Sequence, residues 1–419
     1  MKFKSTSLEK KWIWYDVGNS AFTMLIATLL PIFFHEIAQK GGIAEADYLS
    51  YWAYTSSLVT IILVVLGPIL GTLSDLKGVK RKIFSGCALL GALSCALLGF
   101  ISHWLWFLGV FVLSKTAYQM SLVVYDSMLG DVTTEERMDE VSSKGYAWGY
   151  IGSCAPFIVT IIVYVMYAML GWISMTVSAI LCCLIIAAWW MGWTIPLYKS
   201  YEQKHYISGG NHPVRTGFKN LAGIFSELRQ NKKVLFFLLA FFFYIDGVYT
   251  IIDMATSYGT SLGLDTVGLL AALLVTQIVA FPSALIFGRL SRKVKAEKLI
   301  IVCIAAYFFA TIYAAFMTAL YQFWILAVVI GMFQGSIQSL SRSYFAKIIP
   351  QNKSGEFFGI YDIFGKGASF MGTMIVGLVT QLTGKQHLGV GAIALLFPFG
   401  LLFYILSVRT KQGEEYLCR

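Results

Sequence analysis

The sequence predicts an all-α membrane protein: twelve transmembrane helices in two pseudo-symmetric six-helix bundles. Three observations carry this. The 419 residues are 58% hydrophobic and only 13% charged, against about 25% charged in an average soluble domain. Apolar runs long enough to cross about 30 Å of hydrocarbon recur almost end to end. The longest polar connection falls after the sixth run and divides the runs six and six.

The runs lie at 12–37, 49–73, 83–101, 104–128, 146–169, 172–195, 233–257, 266–290, 299–318, 321–345, 356–380 and 388–408. Most are apolar on both faces, as helices facing lipid or packed in a bundle are. The alternation in roughly 10-residue pieces that marks a membrane β-barrel is absent from the sequence. Met1 to Lys11 has no cleavable-signal pattern. The run that follows is too long for a signal core and keeps Asp16 and Asn19, so it reads as segment 1.

A formal net charge of +10 invites a nucleic-acid reading, and the location of the charge refutes it. Among 32 Lys and Arg, Lys40 and Lys385 fall in loops of one side and Lys115 and Lys366 within spans. The others lie in the termini and loops of the second side or, like Lys233, Arg289 and Arg342, in the ends of spans that face it. That bias predicts a multi-pass cell-membrane protein with both termini in the cytoplasm and no nucleic-acid partner. Of the seven cysteines, Cys87, Cys95, Cys154, Cys182, Cys183 and Cys303 sit within spans without metal-ligand spacing, and they read as packing residues. No Walker loop and no nucleophile–base constellation is visible, so neither ATP-driven chemistry nor an enzyme is expected, and no cofactor or metal.

Residues 196–232, from Pro196 to Lys232, are polar and basic and contain Gly209, Gly210 and Pro213. They predict a cytoplasmic linker between an N-terminal bundle at 1–195 and a C-terminal bundle at 233–419. Within it Phe218, Leu221, Phe225 and Leu228 recur at helical spacing, with Lys219, Glu227 and Arg229 between them, the pattern of a short interfacial helix. The halves also resemble each other. Trp14-Tyr15-Asp16-Val17-Gly18 answers to Tyr244-Ile245-Asp246-Gly247, and Gly71-Thr72-Leu73-Ser74-Asp75 to Gly288-Arg289-Leu290-Ser291-Arg292. Gly145-Tyr146-Ala147-Trp148-Gly149 answers to Gly355-Glu356-Phe357-Phe358-Gly359. Three pairs in the same order indicate a duplicated six-helix unit, an architecture whose site lies between the halves near the midplane.

Four short polar faces sit inside otherwise apolar segments 1, 4, 7 and 10. They are Asp16/Asn19/Ser20/Thr23, Lys115/Gln119/Asp126, Asp246/Tyr249/Thr250/Asp253 and Gln334/Gln338/Ser341. A charge at bilayer depth costs about 2.5–3.5 kcal/mol or more, so such residues are functional or internally paired. Asp246, Tyr249, Thr250 and Asp253 fall at i, i+3, i+4 and i+7 and form one stripe. Lys115, Gln119 and Asp126 fall at i, i+4 and i+11, which returns to within about 20° of the start. Counted from Lys233, Asp246 lies about 20 Å along its helix, near the midplane. Lys115 lies about as deep from the opposite end. Asp16 and Asp126 lie closer to the basic side, where a structural network with helix ends competes with a functional role. Segment 11 adds Asp362 and Lys366 at i and i+4, acid first. This pair either neutralises itself or is opened by substrate or a proton. Arg342 is expected to snorkel or to pair with a loop acid. The five histidines fall in loops or at span ends, so no histidine relay is expected.

At the loop between segments 2 and 3 the residues become specific. Gly71-x-Leu73-x-Asp75-x-Lys77-Gly78-x-Lys80-Arg81-Lys82 resembles the cytoplasmic signature of the major facilitator superfamily, with the first basic residue displaced by one place. A tighter resemblance rests on Trp14-Tyr15-Asp16-x-Gly18-Asn19-Ser20-Ala21-Phe22, Tyr125-Asp126-Ser127-x-Leu129 and Asp246-Gly247-x-x-Thr250-Ile251. Gln338-x-x-x-Arg342 and Gly355-Glu356-Phe357-Phe358-Gly359-x-Tyr361 add to it. Together these resemble the vacuole-effluxer branch of the superfamily, which is associated with amino-acid movement chiefly through its fungal members. The resemblance implies the major facilitator fold with helices 1, 4, 7 and 10 lining a central cavity. It also implies a gating loop, in which Asp75 pairs with Arg81 near a helix N-terminus of the other half and stabilises the outward-facing state. The second copy has Arg292 in place of the aspartate, so the latch is expected on one side only.

A zwitterion needs one cationic and one anionic anchor with amide or hydroxyl groups around them. The candidate substrate contacts are Asn19, Thr23, Lys115, Gln119, Asp246, Tyr249, Gln334, Gln338, Tyr361 and Lys366, with Tyr249 and Tyr361 as aromatic gates. Asp246 is the candidate for proton coupling and Asp362 the reserve. Asp75, Arg81, Asp16, Asp126 and Arg342 are the candidate gating residues. The expected function is secondary-active transport of a small polar solute, an amino acid or related zwitterion, by a proton-coupled monomer among membrane lipids. A lipid or amphiphile flippase on the same fold is the alternative, and it predicts a mostly aromatic cavity opened sideways. A receptor or scaffold need not keep unpaired charges at the midplane.

Overall fold

The computed structural model describes residues 5–207 and 228–410, without the side chains of residues 45–50, 53, 256–257, 260–261, 266–267, 270 and 366–370. Each apolar run is a helix. The first half holds α1 (Ser7–Lys40), α2 (Glu45–Ser74), α3 (Lys80–Leu98), α4 (Trp104–Ser127), α5 (Met138–Ala168) and α6 (Met175–Ser200). The second holds α7 (Lys232–Ser261), α8 (Thr266–Leu290), α9 (Ala296–Ala315), α10 (Leu320–Ile348), α11 (Ser354–Thr383) and α12 (Gln386–Arg409). Eleven of these carry stretches long and apolar enough to cross a membrane. The remaining helix, α11, has 30 residues and so is about 45 Å long, with Met371–Thr383 as an apolar piece. The chain is therefore a multi-pass membrane protein. Among the described residues there is no strand, only an isolated bridge between Leu76 and Ile207.

Several boundaries differ by a few residues from the hydropathy reading, and two of them bear on the gate and the linker. Helix α5 starts at Met138 rather than 146, because its first two turns bury Asp139, Glu140, Ser142 and Ser143 against the other half. Helix α6 runs through Pro196 to Ser200, since a proline near a helix end removes only one backbone bond. The linker thus begins later than Pro196. Phe218, Leu221 and Phe225, and with them the expected interfacial helix, lie outside the described residues.

Within the first half, α1 packs on α5 and α6, and α3 on α4 and α6. Within the second, α7 packs on α11 and α12, and α10 on α8 and α9. The halves meet along two seams, α2 on α11 and α5 on α8. Glycines make the first seam. A Cβ at Gly71 would overlap the Gly355 carbonyl oxygen, and one at Gly67 would stand 3.4 Å from the Gly359 oxygen. The spacing of four on each helix is the small-residue pattern that brings membrane helices into backbone contact. On the second seam Gly288 abuts Ser143, and the Trp148 ring meets Phe281 edge-on with centroids 5.4 Å apart. These contacts occupy the half of each helix nearest the loops rich in Lys and Arg, here termed the basic end.

The glycine seam predicts a conformational effect. In a background without the native cysteines, Gly355→Leu should hold the α2–α11 seam apart. A cysteine at Gln338 should then react several-fold faster with an impermeant thiol reagent applied from the basic end. Equal labelling rates in parent and variant would show that backbone approach at Gly355 does not close this end.

Candidate functional site

The site is built from side chains that face the boundary between the halves, and Arg342 is its hub. This α10 residue is 2% exposed, yet it neither snorkels nor meets a loop acid. Its Nη1 donates to Asp126 Oδ1 on α4 at 2.9 Å, and its Nη2 reaches Asp16 Oδ2 on α1 at 3.5 Å. Its Nε donates to Ser142 Oγ on α5 at 2.9 Å, and Nη2 to the Ser142 carbonyl at 3.1 Å. The guanidinium also lies over the rings of Tyr146 and Trp12, 4.4 Å and 4.7 Å from their centroids. One second-half side chain thereby grips three first-half helices. Only a planar fork with several donors makes this contact set. The acceptors are held firmly: the Trp12 indole N–H donates to the Tyr125 carbonyl at 3.1 Å, and the Tyr125 hydroxyl donates to the Trp12 carbonyl at 3.0 Å. Gly145 leaves room for the Asp16 carboxylate, which a Cβ there would strike.

The gating loop closes the same end by a different pairing than expected. Asp75 pairs with Lys80 Nζ at 3.3 Å, not with Arg81. Its Oδ1 accepts the Gly355 N–H at 2.8 Å and its Oδ2 the Glu356 N–H at 2.9 Å. The carboxylate therefore caps the N-terminus of α11, where free amides and the helix dipole favour an anion. Lys80 Nζ also donates to Ser354 Oγ at 2.8 Å. Arg81, turned about 100° away on α3, stacks on Tyr198 with its Cζ 4.3 Å from the ring centroid. The second copy is a latch as well, with reversed charges. Arg292 of the α8–α9 loop pairs with Glu140 on α5, Lys347 Nζ with Asp139 Oδ2 at 2.7 Å, and the Ser142 hydroxyl donates to the Ser339 carbonyl at 2.8 Å. The expectation of a one-sided latch is corrected, because the acid that Arg292 meets lies not in the loop but at the start of α5.

Sequence reasoning missed the acid that receives the linker. Asp131, in the helical turn Leu129–Val132 after α4, accepts the Tyr201 hydroxyl. It also meets the His205 ring Nδ1 at 2.9 Å and accepts the Lys204 and His205 N–H groups at 3.1 Å and 2.9 Å. Burial alone would raise the Asp131 pKa, but the His205 hydrogen bonds, the Lys80 charge and the Tyr201 hydroxyl outweigh it and hold the carboxyl below its usual value. Its contribution to stability is present above the ordinary carboxylate range and is lost only as pH falls through that lowered value. The linker continues onto the gate: Gln203 bridges the Gly78 N–H at 2.9 Å and the Ser74 carbonyl at 3.1 Å, and the Ile207 N–H donates to the Asp75 carbonyl at 2.8 Å. The signal that could have found these acids is their sign, since Asp131, Asp139 and Glu140 cluster in an otherwise basic set of loops.

Away from the gate the polar stripes open out. The Asn19 amide donates to the Tyr15 carbonyl at 3.0 Å and to Asp16 Oδ1 at 3.2 Å, and Thr23, exposed, shares a 2.7 Å hydrogen bond with the Tyr118 hydroxyl. Lys115 Nζ lies 3.5 Å from Ser56 Oγ and 5.5 Å over the Phe111 ring. The acid within its electrostatic reach on α7 is Asp253, also exposed, and not Asp246. Half-buried Tyr249 is within electrostatic reach of Asp362, Asp126, Asp253 and Tyr118. Asp362 also lies within electrostatic reach of Asp126, and the Lys366 side chain lies outside the described residues. Gln119 Oε1 is buried without a hydrogen-bond partner among the described residues. Gln334 faces the Tyr150 hydroxyl without closing a bond, and Gln338 is half-buried one turn further along α10.

Two candidates are not at this boundary. Asp246 is fully buried and turns toward α11, where its Oδ1 accepts the Gly372 N–H at 2.9 Å and the Thr250 hydroxyl at 3.3 Å. Its Oδ2 has no hydrogen-bond partner among the described residues. Gly247 beside it gives room to Phe397 of α12, so this side of α7 packs inside its own half. Tyr361 is clamped between Phe241 and Phe345, with centroids 4.1 Å and 4.8 Å away, and a ring so held does not swing as a gate.

The family model described as "Vacuole effluxer Atg22 like" matches residues 5–416. The chain belongs to this family. It is similar to the MFS-type transporter YxiO of Bacillus subtilis (strain 168), 42% identical over 96% of this chain and 95% of that protein. It is also similar to autophagy-related protein 22 of Vanderwaltozyma polyspora, 22% identical over 96% of this chain and 91% of that one. In fold it is similar to a bacterial homologue of the iron transporter ferroportin in its outward-facing state, at a TM-score of 0.72 and 13% identity, covering 96% of this chain and 99% of the other. This Atg22-like chain is thus a transporter of the major facilitator superfamily and not an enzyme.

The Arg342 hub predicts a stability defect. Arg342→Gln leaves the Asp16 and Asp126 carboxylates buried without their cation, a loss of about 3–5 kcal/mol for a broken buried pair. Thermal unfolding in detergent should show a marked drop in Tm, with Arg342→Lys between the two because an ammonium lacks the fork. A glutamine variant as stable as the parent would mean that the pairs contribute nothing.

Proposed function

We propose that this protein is a secondary-active transporter that carries an amino acid or related zwitterion between its two six-helix halves by alternating access. The basic end faces the cytoplasm on the positive-inside rule, so the arrangement described above is an outward-facing one. The observation that carries the reading is that the polar stripes of α1, α4, α7 and α10 adjoin one another at the boundary between the halves: Arg342 of α10 binds Asp16 and Asp126 of the α1 and α4 stripes, and Tyr249 of α7 is within electrostatic reach of Asp126. Lys115 is the anchor proposed for a substrate carboxylate, with Lys366 on α11 as the second candidate. Asp253 and Asp362 are proposed for the amine. Asn19, Thr23, Gln119, Tyr249, Gln334 and Gln338 supply hydroxyl and amide groups around them. Charges of both signs suit a zwitterion better than an amphiphile, which needs a mostly apolar path. The family description as an effluxer favours outward movement.

Asp246 enters this proposal as the coupling acid. A carboxylate sealed inside its own half, with no hydrogen-bond partner on one oxygen and no basic partner among the described residues, is a site for a proton. Its Oδ1 holds the backbone of α11 at Gly372, so a change of charge there acts on the helix that also carries Asp362 and forms the α2 seam.

Two measurements test the proposal separately. Ligand-induced thermal stabilisation by amino acids should appear in the purified protein and vanish in Gln338→Ala and Lys115→Ala proteins that remain folded; unchanged ligand shifts in both would remove the site. In proteoliposomes, an imposed pH gradient should drive accumulation in the parent and fail in Asp246→Asn. Gradient-driven accumulation that survives in the variant would take the coupling role from Asp246, and dependence on sodium without a response to pH would exclude proton coupling.

A further inference from the structure

The three consecutive basic residues that open α3 divide their work. Lys80 is fully buried and turned into the gate. Arg81 and Lys82 are not used there. Arg81 lies against Tyr198 of α6, and Lys82 is exposed. Beneath them the outer surfaces of α3 and α6 leave a groove of about 370 Å³, lined by residues that include Lys82, Ser85, Gly86, Leu89, Ile195 and Tyr198. Its floor is open, because a Cβ at Gly86 would meet nothing within 4 Å. Leu89 and Ile195, about half-exposed, line it toward the membrane interior. Leu89 stands seven residues, about 10 Å, further along α3 than Lys82.

We propose that this groove binds one anionic phospholipid, with its phosphate between Arg81 and Lys82 and an acyl chain laid over Gly86 toward Leu89 and Ile195. Three features argue for this occupant. The polar mouth is cationic, with Lys82 in its lining and Arg81 stacked on Tyr198, and no acid is among the described residues that line the groove. An aromatic ring carrying a stacked guanidinium marks the level at which headgroup and hydrocarbon meet. The apolar half faces lipid, and basic pockets between membrane helices at the interface suit phosphate headgroups. A zwitterionic lipid brings the same chains without the net negative charge. The bound phosphate would fix the first turn of α3, one residue from Lys80 and hence from the Asp75 latch. The inference does not depend on the substrate of transport.

The test is thermal unfolding of the detergent-purified full chain with added phosphatidylglycerol or phosphatidylcholine, and with inorganic phosphate alone. Phosphatidylglycerol should raise Tm by several degrees more than phosphatidylcholine, and phosphate alone should do nothing. The difference between the lipids should be lost in the Arg81→Gln, Lys82→Gln double variant. It should also be lost in Gly86→Phe, whose ring would occupy the groove from a position where the added Cβ meets nothing within 4 Å. Equal shifts from both lipids, a phosphate-only shift of the same size, or a lipid difference that persists in Gly86→Phe would each overturn the proposal. If Gly86→Phe fails to fold, the double variant at the two surface cations decides the matter alone.

Discussion

A buried charge in a membrane protein needs a partner, and the buried cation Arg342 finds its partners in the opposite half of the molecule. Arg342 belongs to the second bundle, while Asp16, Asp126 and Ser142 belong to the first. The same division holds for Asp75 and the first amides of α11, Arg292 and Glu140, and Lys347 and Asp139. Buried ion pairs add little net stability over apolar packing, because desolvation offsets most of the attraction. Their asymmetry is what matters: separating the halves without water exposes several charges, and separating them with water replaces every bond at nearly equal free energy. Such an interface is firm when dry and easily exchanged when wet. That property suits a gate.

The glycine seam makes the ionic contacts reachable. Gly71 and Gly355 bring α2 and α11 into backbone contact, which puts Asp75 within hydrogen-bond distance of amides that would otherwise be covered by side chains. The second seam uses small polar side chains in place of glycines, and its charges are reversed. The corresponding loops of the two halves thus both reach the opposite half, one through an acid and the other through a base. The linker is tied to the same loop through Ile207 and Gln203. The chain segment that joins the halves thus rests on the element that clasps them.

Most of the fold was legible because span length and apolar composition are local quantities. The polar stripes were legible for the same reason, since helical spacing alone puts Gln334 and Gln338 on one face. Partner choice was not local. Arg342 and Asp126 are 216 residues apart, and no spacing rule connects them. The exchange of Arg81 for Lys80 is a single-residue error, but it turns on where α3 begins, which decides which of two neighbours faces the seam. Asp246 and Asp253 share a stripe at i and i+7, and sequence alone does not say which one Lys115 meets. The early start of α5 was hidden because its first turns are polar and acquire their burial only from the other half.

The central claim is that the inter-half ion pairs at the basic end hold this conformation and that their opening is the transport step. The most direct measurement is the distance distribution between spin labels at Thr134, in the turn before α5, and Asn352, in the turn before α11, in reconstituted protein. The account predicts one short, narrow distance in the parent. A second, longer population should appear when Asp75→Asn and Glu140→Gln are combined, and should grow in the parent when substrate is added. A distribution unchanged by the two substitutions and by substrate would contradict it.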